Sequence, residues 1–212
     1  MDRAPKSKAW LRTNEYEEAV SAAEAAADFS ESALKDPYRW KWVLIAVHNA
    51  VQGFMVLALR RGNGLLALRD DIAAEWIKAY RADKKLPKEK LDSFLNLYAK
   101  VKTDAAAGWV HSKPFVSGSN HDQSMKRLNE FRNEFIHFVP KGWSLELAGL
   151  PAICLNCLSV ARFLHDEGGN IFWHSAKLRR RADRAFRRAN KALTNAGRVY
   201  EGQLGSKEPH DH

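Results

Sequence analysis

Apolar residues recur along this chain at intervals of three and four, and no segment alternates apolar and polar residues as a half-buried strand does. Glycine and proline, the two residues that interrupt helices, number only 12 and 7 among 212 residues. A three-four pattern with few interruptions is typical of helices that bury one face against each other. The sequence therefore predicts an all-α fold, a bundle of helices around one core.

Turn and breaker residues divide the chain into seven predicted helices. Asp36–Pro37 is typical of a helix start, Gly62–Asn63–Gly64 of a helix stop, and Gly168–Gly169 ends a later helix. The stretch 103–120 is rich in loop residues and predicts an irregular connection. The predicted helices span 15–34, 38–61, 66–81, the residues after Pro87 as far as 101, 121–138, 151–165 and 174–193.

Composition further divides the chain into four parts. Residues 1–14 are polar and basic and contain no apolar core of a secretory signal, so we expect a flexible N-terminus and a cytoplasmic location. Residues 15–166 form the predicted bundle and 167–197 a basic C-terminal helix. Residues 198–212 are polar, and we expect a disordered tail there.

Composition also excludes several classes of protein. Hydrophobic residues make up 45% of the chain and charged residues 28%, which excludes a collagen-like or largely disordered chain. The two cysteines, Cys154 and Cys157, cannot form a disulfide framework. Their spacing resembles half of a zinc site but lacks the second ligand pair. We expect both to pack in the core, and we predict neither a metal nor a cofactor.

The segment from Trp42 to Leu59 is apolar enough to be considered as a membrane span. On a helical wheel, however, His48, Asn49 and Gln52 form a narrow polar stripe. Such a stripe is typical of the central helix of a bundle, and we predict no membrane span. The stripe leaves two interpretations open, a buried histidine bonded to a neighbouring amide or polar groups that support a functional cleft.

The fifth predicted helix carries an apolar face and an opposite polar face. The apolar face is formed by four residues at three-four spacing: Leu128, Phe131, Phe135 and Phe138. Asn133 and His137 lie one turn apart on the opposite side of the wheel, where they can touch. Arg132 lies on the flank of the apolar face, and its long side chain can extend beyond it. Each polar residue alone is explained by contact with solvent, so any functional inference depends on their combination.

The combination Arg132–Asn133–Glu134–Phe135–Ile136–His137 resembles the signature of the HEPN superfamily. That signature is an arginine, usually followed by a polar residue, and a histidine after four to six intervening residues. Requiring asparagine directly after arginine lowers the number of matches expected by chance from about two to about 0.1. The motif covers six residues, and the likeness to a HEPN-like helical bundle extends over about 15–165.

The resemblance implies a fold, a partner and an activity. HEPN proteins are helical bundles that commonly dimerise, so that the motif residues of two protomers face each other. Many are metal-independent ribonucleases of toxin–antitoxin pairs, antiviral defence systems and CRISPR effectors. For this chain the resemblance implies an RNA substrate, a homodimer and, in a toxin setting, an antitoxin protein acting in trans.

The residue types of the motif suit cleavage of RNA through its 2′-hydroxyl. Histidine transfers protons near neutral pH, so His137 is the expected general acid/base. The guanidinium of Arg132 stays charged and binds phosphate oxygens in pairs, which suits it to stabilise the phosphorane. Asn133 can orient the histidine or a phosphate oxygen without titrating. We therefore predict Arg132, Asn133 and His137 as catalytic residues.

The positive charge of the chain is concentrated in its last predicted helix. Stretch 174–191 contains eight Lys and Arg residues against Asp183, and so carries +7 of the net +9. On a wheel, Leu178 and three alanines form an apolar face and the cations lie opposite. A concentrated basic face suits RNA phosphates, an anionic membrane or an acidic protein. The predicted RNA-binding residues are Arg180, Arg181, Arg184, Arg187, Arg188 and Lys191.

Three functional interpretations remain open from the sequence. The first is a metal-independent RNA endonuclease, acting as a toxin or an antiviral-defence effector. The second is a non-catalytic HEPN-like bundle that binds RNA or protein, in which Arg132 and His137 organise a dimer or a polar network. The third is an adaptor whose basic helix binds a membrane surface or an acidic protein.

Overall fold

The computed structural model describes residues 9–104, 108, 111–137, 140, 142 and 144–205. These described residues form seven α-helices and confirm the predicted all-α bundle. The helices are α1 (Glu15–Ser32), α2 (Arg39–Leu59), α3 (Asp70–Arg81), α4 (Phe94–Val101), α5 (His121–Ile136), α6 (Leu150–Asp166) and α7 (Ala176–Gly205), with a 3₁₀ turn at Leu65–Ala67.

Local sequence signals account for the main helix boundaries. The Asn14 side chain accepts hydrogen bonds from the backbone N–H groups of Tyr16 and Glu17, which caps α1. After α2, Gly62 and Gly64 have φ values of 62° and 74°, a left-handed conformation that glycine adopts without steric cost. The predicted stop between α2 and α3 is therefore built from these two glycines.

Helix α2 is the central helix of the bundle. Its length and composition would allow it to cross a membrane, but 67% of its most apolar window is buried inside the structure. Trp40, Leu44, Phe54 and Met55 are among its fully buried side chains. This burial is typical of a core helix and accounts for the apolar character of the segment.

Small residues bring α1 and α2 close together. A Cβ atom built on Gly53 would lie 2.8 Å from the Cβ of Ala19, closer than side chains normally approach. The buried face of α1 consists mainly of alanines, including Ala23, Ala26 and Ala27. The alanine-rich composition of α1 thus gives a close helix contact rather than a solvated helix.

Helix α7 belongs to the same core as the rest of the bundle. Ala182, Phe186 and Leu193 are buried within it, on the apolar face that the sequence predicts. The first part of α7 lies beside the first part of α1, where Arg181 binds Glu17. Near the end of α7, the Tyr200 hydroxyl accepts a hydrogen bond of 2.9 Å from Trp40 at the start of α2. Helices α1 and α7 are therefore parallel, and α2 runs opposite to both.

The end of α7 differs from the prediction. Residues 198–205, expected in a disordered tail, are helical, and α7 begins at Ala176 rather than 174. Ala196 is buried and Tyr200 packs against the core, so apolar contacts continue the helix beyond 193. Residues 206–212 of the predicted tail, and 1–8 of the predicted N-terminus, lie outside the described residues.

The start of α4 also differs, because a helix was expected soon after Pro87. Residues 84–90 instead have no regular secondary structure, and Leu91 forms an isolated antiparallel bridge with Leu68. Lys100 links this segment to the bundle, with its Nζ 2.7 Å from Asp92 Oδ2. The Ser93 hydroxyl accepts a hydrogen bond from Asn96 N, and α4 begins at Phe94.

Candidate functional site

The Arg132–Asn133–His137 motif lies at the C-terminal end of α5. Burial of Met125, Leu128 and Phe131 against the core fixes which side of α5 faces outward. Phe135 is half-buried and packs on the same core, whereas Phe138, the fourth member of the predicted apolar face, lies outside the described residues. The packing of α5 thus directs its opposite face away from the core.

Two of the three motif side chains are in direct contact. Arg132 is half-buried, and its Nη1 donates a hydrogen bond of 3.0 Å to Oδ1 of the exposed Asn133. The amide thus holds one side of the guanidinium at the end of α5. The structure places Asn133 as the partner of the arginine, a contact that the wheel, with Arg132 on another line, did not predict.

His137 ends α5 rather than continuing it. Its φ and ψ are −102° and 44°, outside the helical range, while its backbone N–H still donates to the Asn133 carbonyl over 2.9 Å. Its side chain is exposed, one turn from Asn133. The sequence predicts helix as far as 138. In the structure α5 ends at Ile136, so His137 follows the last helical residue. It therefore lies at the exposed end of α5, one turn beyond Asn133.

His48 lies directly behind this surface. It is 2% exposed, its Nε2 is 3.3 Å from Asn129 Oδ1, and its ring stacks on Phe94 with centroids 4.0 Å apart. Burial lowers the pKa of His48 from 6.5 to about 4, and the positive charge of Arg132 adds to the lowering. The imidazole is thus neutral at pH 7, and the buried-histidine interpretation of the sequence describes its contacts.

The polar stripe on α2 is divided between two neighbours. His48 faces α5, whereas Asn49 and Gln52 line a groove of about 440 Å³ against α1, together with Ser21 and Gly53. The three residues therefore do not form one functional unit. A wheel of α2 alone could not show this division, because it contains no information on which helices flank it.

The two cysteines are buried on α6, as the sequence predicts. Burial raises the pKa of the Cys154 thiol to about 12 and that of Cys157 well above its usual value. Both are therefore neutral thiols at pH 7, which disfavours a role as nucleophile or metal ligand.

Among the described residues, His165, Asp166 and Asp183 form a group whose ligand atoms could surround a metal ion. His165 Nε2 lies 2.9 Å from Asp183 Oδ1 and 3.5 Å from Asp166 Oδ1. The shorter distance is that of a direct hydrogen bond, which joins α6 to α7. We interpret the group as a link between these helices.

Two cations of the predicted RNA-binding set are bound to α1. Arg181 makes a bidentate ion pair with Glu24 and a further bond of 2.9 Å to Glu17. Arg188 binds Glu31 in the same bidentate way and also contacts Asp28. These arginines hold α7 to α1, and their hydrogen bonds hold the pKa values of Glu24 and Glu31 below the ordinary value.

The other four predicted cations form an exposed basic face. They are Arg180, Arg184, Arg187 and Lys191, and no ion pair between described residues includes them. They lie on the solvent side of α7, between the flank that contacts α1 and the flank where Asp183 contacts α6. Of the six predicted residues, these four are thus available to bind an anionic partner.

Helix α6 lies between the motif and this basic face. Its Asn156 and Ser159 contact α5, at Ser124 and His121. Its His165, on the opposite flank, contacts α7 at Asp183. The basic face is therefore one helix away from the motif.

Sequence reasoning missed the acidic partners of α7. Glu17, Glu24 and Glu31 recur at seven-residue spacing on one side of α1, and Arg181 and Arg188 are also seven residues apart. Two turns of helix separate such residues, so matched heptad spacings of opposite charge indicate two parallel helices in contact. That signal was available in the sequence.

Comparison with known proteins adds no further assignment. The chain matches no protein-family model, and no curated protein or solved structure shows significant similarity to it. Inference about its activity therefore depends on the motif, its geometry and the charge of α7.

Proposed function

We propose that this protein is a metal-independent endoribonuclease of the HEPN type, which cleaves RNA through attack of the 2′-hydroxyl on the adjacent phosphate. The observation that carries the proposal is the contact between Arg132 and Asn133 at an exposed helix end, one turn from an exposed His137. An arginine held for an anion beside a histidine able to transfer protons is the pair that this reaction requires.

Each residue has a defined role in the proposed reaction. His137 accepts the proton of the 2′-hydroxyl or donates one to the departing 5′-oxygen. Arg132 stabilises the negative charge that accumulates on the phosphorus oxygens, and its bond to Asn133 keeps the guanidinium in place. One protomer supplies one histidine, whereas the reaction uses a base and an acid, so two protomers would supply both.

The surface around the motif fits such a pairing. Ile136, between Asn133 and His137, is 49% exposed although it is apolar. A second protomer that covered this residue would gain apolar burial and bring a second His137 to the same phosphate. We propose a homodimer with the ends of α5 at its interface.

The biological setting follows from the HEPN resemblance. We propose a cytoplasmic toxin or antiviral-defence effector that is restrained by a separate protein, such as an antitoxin. The exposed position of the motif supports this setting, because a partner that covered the end of α5 would block access of RNA to Arg132 and His137.

A strand with one altered sugar tests the proposed chemistry. Purified protein is incubated with single-stranded RNA in EDTA, and the products are resolved at nucleotide resolution. We expect cleavage that leaves a 2′,3′-cyclic phosphate, and loss of each cut at which the 5′ nucleotide carries a 2′-deoxy sugar. Equal cleavage of DNA, or activity abolished by EDTA, would contradict the mechanism.

Substitutions on α7 test the RNA-binding role of the basic face. We expect Arg180→Glu, Arg184→Glu and Arg187→Glu together to weaken RNA binding and to reduce the slope of log affinity against log salt by about 2, because each phosphate contact contributes about 0.7. Fluorescence anisotropy between 50 and 200 mM salt, a range of roughly fourfold, measures both effects.

Arg188→Glu is the matched control for this set. It removes a cation from the same helix, but one that already binds Glu31 and Asp28. We expect it to lower the free energy of unfolding and to leave the salt dependence of RNA binding nearly unchanged. If the triple variant binds RNA as the native protein does, the basic face has no role in RNA recognition.

A second candidate function is a non-catalytic bundle that binds RNA or protein. The position of Arg132 favours it, because its charge acts on the buried His48 and its side chain bonds to Asn133, as in a structural polar network. In that case the RNA strand would be bound through α7 and would remain intact in the experiment above.

A further inference from the structure

A second site lies at the end of the bundle away from the motif. Here α2 and α6 end and α1 and α7 begin, and the helix ends enclose a cavity of about 440 Å³. Its walls include Tyr16, Arg60, Asn170 and Phe172. The volume is within the range of roughly 300–1,000 Å³ that small-molecule sites occupy.

The most unusual wall residue is Phe172. Its side chain is 77% exposed, although the connection that carries it is anchored to the bundle. Tyr16 donates a hydrogen bond from its hydroxyl to the Phe172 carbonyl over 2.9 Å, and Trp173 packs on the core. The backbone is thus fixed while the phenylalanine ring stays in solvent at the mouth of the cavity.

Two other aromatic rings lie near Phe172. The ring of His174 lies 4.8 Å from that of Tyr16 and 5.6 Å from that of Phe172, measured between centroids, with edge-to-face geometry in both cases. Such a cluster presents ring faces to an incoming planar group. A flat aromatic ligand stacked on the exposed ring of Phe172 would add to the contact that His174 already makes with it.

Positive charge lies at the same cavity. Arg60 follows the last residue of α2 and is exposed, and Arg61 also lines the wall, opposite the single carboxylate of Glu15. The aromatic rings can stack on a base, and an arginine can bind its phosphate. The buried amide of Asn170 lies in the same wall. The cavity therefore has the groups that a nucleotide needs.

We propose that this cavity binds one unpaired nucleotide, with the base stacked on Phe172 and the phosphate on Arg60. The cavity lies near the first turns of α7, from which the basic face extends. Arg181 binds Glu17, the residue after Tyr16, so the first turns of α7 begin beside the cavity. A single strand of RNA that runs along Arg180, Arg184 and Arg187 would reach Phe172 with its next bases.

This inference rests on the proposed function in one respect only, the purpose of the site, which would be to fix the position of RNA along α7. Binding at the cavity needs no cleavage, so we test it in a His137→Ala background, in which RNA stays intact. If His137 has no role in cleavage but the cavity binds a nucleotide, the proposed activity fails and the site remains.

The experiment compares Phe172 variants in binding a fluorescent single-stranded oligoribonucleotide at fixed salt. We expect Phe172→Ala to weaken binding about 5- to 150-fold, the effect of losing one stacked base, and Phe172→Trp to retain it. Tyr38→Ala is the control. Tyr38 is an aromatic residue that is 89% exposed at the start of α2, whereas the cavity lies at the end of that helix. An abasic oligonucleotide has no base to stack, so it should bind the native protein and Phe172→Ala equally.

A second arm uses adenosine monophosphate alone. Saturable binding that depends on Phe172 supports the cavity with a free nucleotide as its ligand, and dependence seen only with the oligonucleotide supports a nucleotide within RNA. Because Phe172 is exposed, its replacement leaves the core intact, which circular dichroism verifies. Equal binding by Phe172→Ala and native protein in both arms would overturn the proposal.

Discussion

Replacement of His137 by alanine is expected to reduce RNA cleavage by about 10²- to 10⁴-fold, the contribution of a general acid or base. The loss should fall on the rate of the bound complex and leave RNA affinity nearly unchanged, since the basic face of α7 is a separate surface. Single-turnover cleavage of a labelled strand at saturating protein measures the rate directly. The side chain is exposed at the end of α5, so the free energy of unfolding should change little.

Two companion variants and a chemical rescue make this result specific to the motif. His111→Ala removes another exposed histidine and should cleave at the native rate. Arg132→Lys keeps the charge but loses the planar fork, and should lose about 10²-fold or more in rate. Imidazole in solution should restore part of the activity of His137→Ala, because it replaces the missing proton carrier. Native cleavage by His137→Ala would show that the nuclease, if present, lies elsewhere.

The fold could be predicted from the sequence because its signals are local. Helix-breaking residues and three-four spacing determined which segments are helical, as at Gly62 and Gly64. The errors lie where contacts distant in the chain decide the outcome. The bridge from Leu68 to Leu91 delays α4, and the bond from Trp40 to Tyr200 extends α7. Neither pairing leaves a pattern within its own segment.

The candidate site shows the same division between local and distant information. The wheel correctly separated the buried Leu128 from the exposed Asn133 on α5. It could not show that the helix ends before His137, nor that Asn133 accepts a bond from Arg132, because both depend on side-chain reach at a terminus. The proximity of His48 to the site depends on α2 and α5 packing together and has no signal in either helix alone.

The basic helix illustrates how net charge overstates a binding surface. Two of its six selected cations, Arg181 and Arg188, neutralise acidic residues of α1. Because the sequence segment of α7 alone is so strongly basic, its partners in α1 were easily overlooked. The remaining face still carries four adjacent cations, and an anionic partner for them remains a proposal.

The stability of the protein is expected to fall by about 2 kcal/mol when the pH is lowered from 7.5 to 5, through the titration of His48. Burial holds the pKa of this histidine at about 4 in the folded chain, against 6.5 as its ordinary value. Between these two values the unfolded chain binds a proton and the folded chain does not. Acid therefore favours the unfolded state throughout this range, and stability increases with pH until about 6.5.

The pH range lies above the titration of three paired carboxylates. Glu24, Glu31 and Asp92 have pKa values lowered below their ordinary 4.5 or 3.8, so their stabilising contributions are present above those values and are lost only as the pH falls further. Urea unfolding at pH 7.5, 6 and 5 therefore measures the effect of histidine titration on stability before these carboxylates titrate. The loss per pH unit should be steeper between pH 6 and 5 than between pH 7.5 and 6, and a loss confined to the upper interval would not fit His48.

The decisive comparison is with His48→Gln. Glutamine can donate a hydrogen bond to Asn129 Oδ1 as the imidazole Nε2–H does, but it does not titrate. The variant loses the stacking on Phe94, so its stability at pH 7.5 is expected to be lower than that of the native chain. Between pH 7.5 and 5, however, its stability should decrease by about 2 kcal/mol less than the native protein's, whereas His111→Gln should retain the full decrease. If His48→Gln keeps the native pH dependence, a different group carries it, and the neutral histidine behind Arg132 is not the origin of the acid sensitivity.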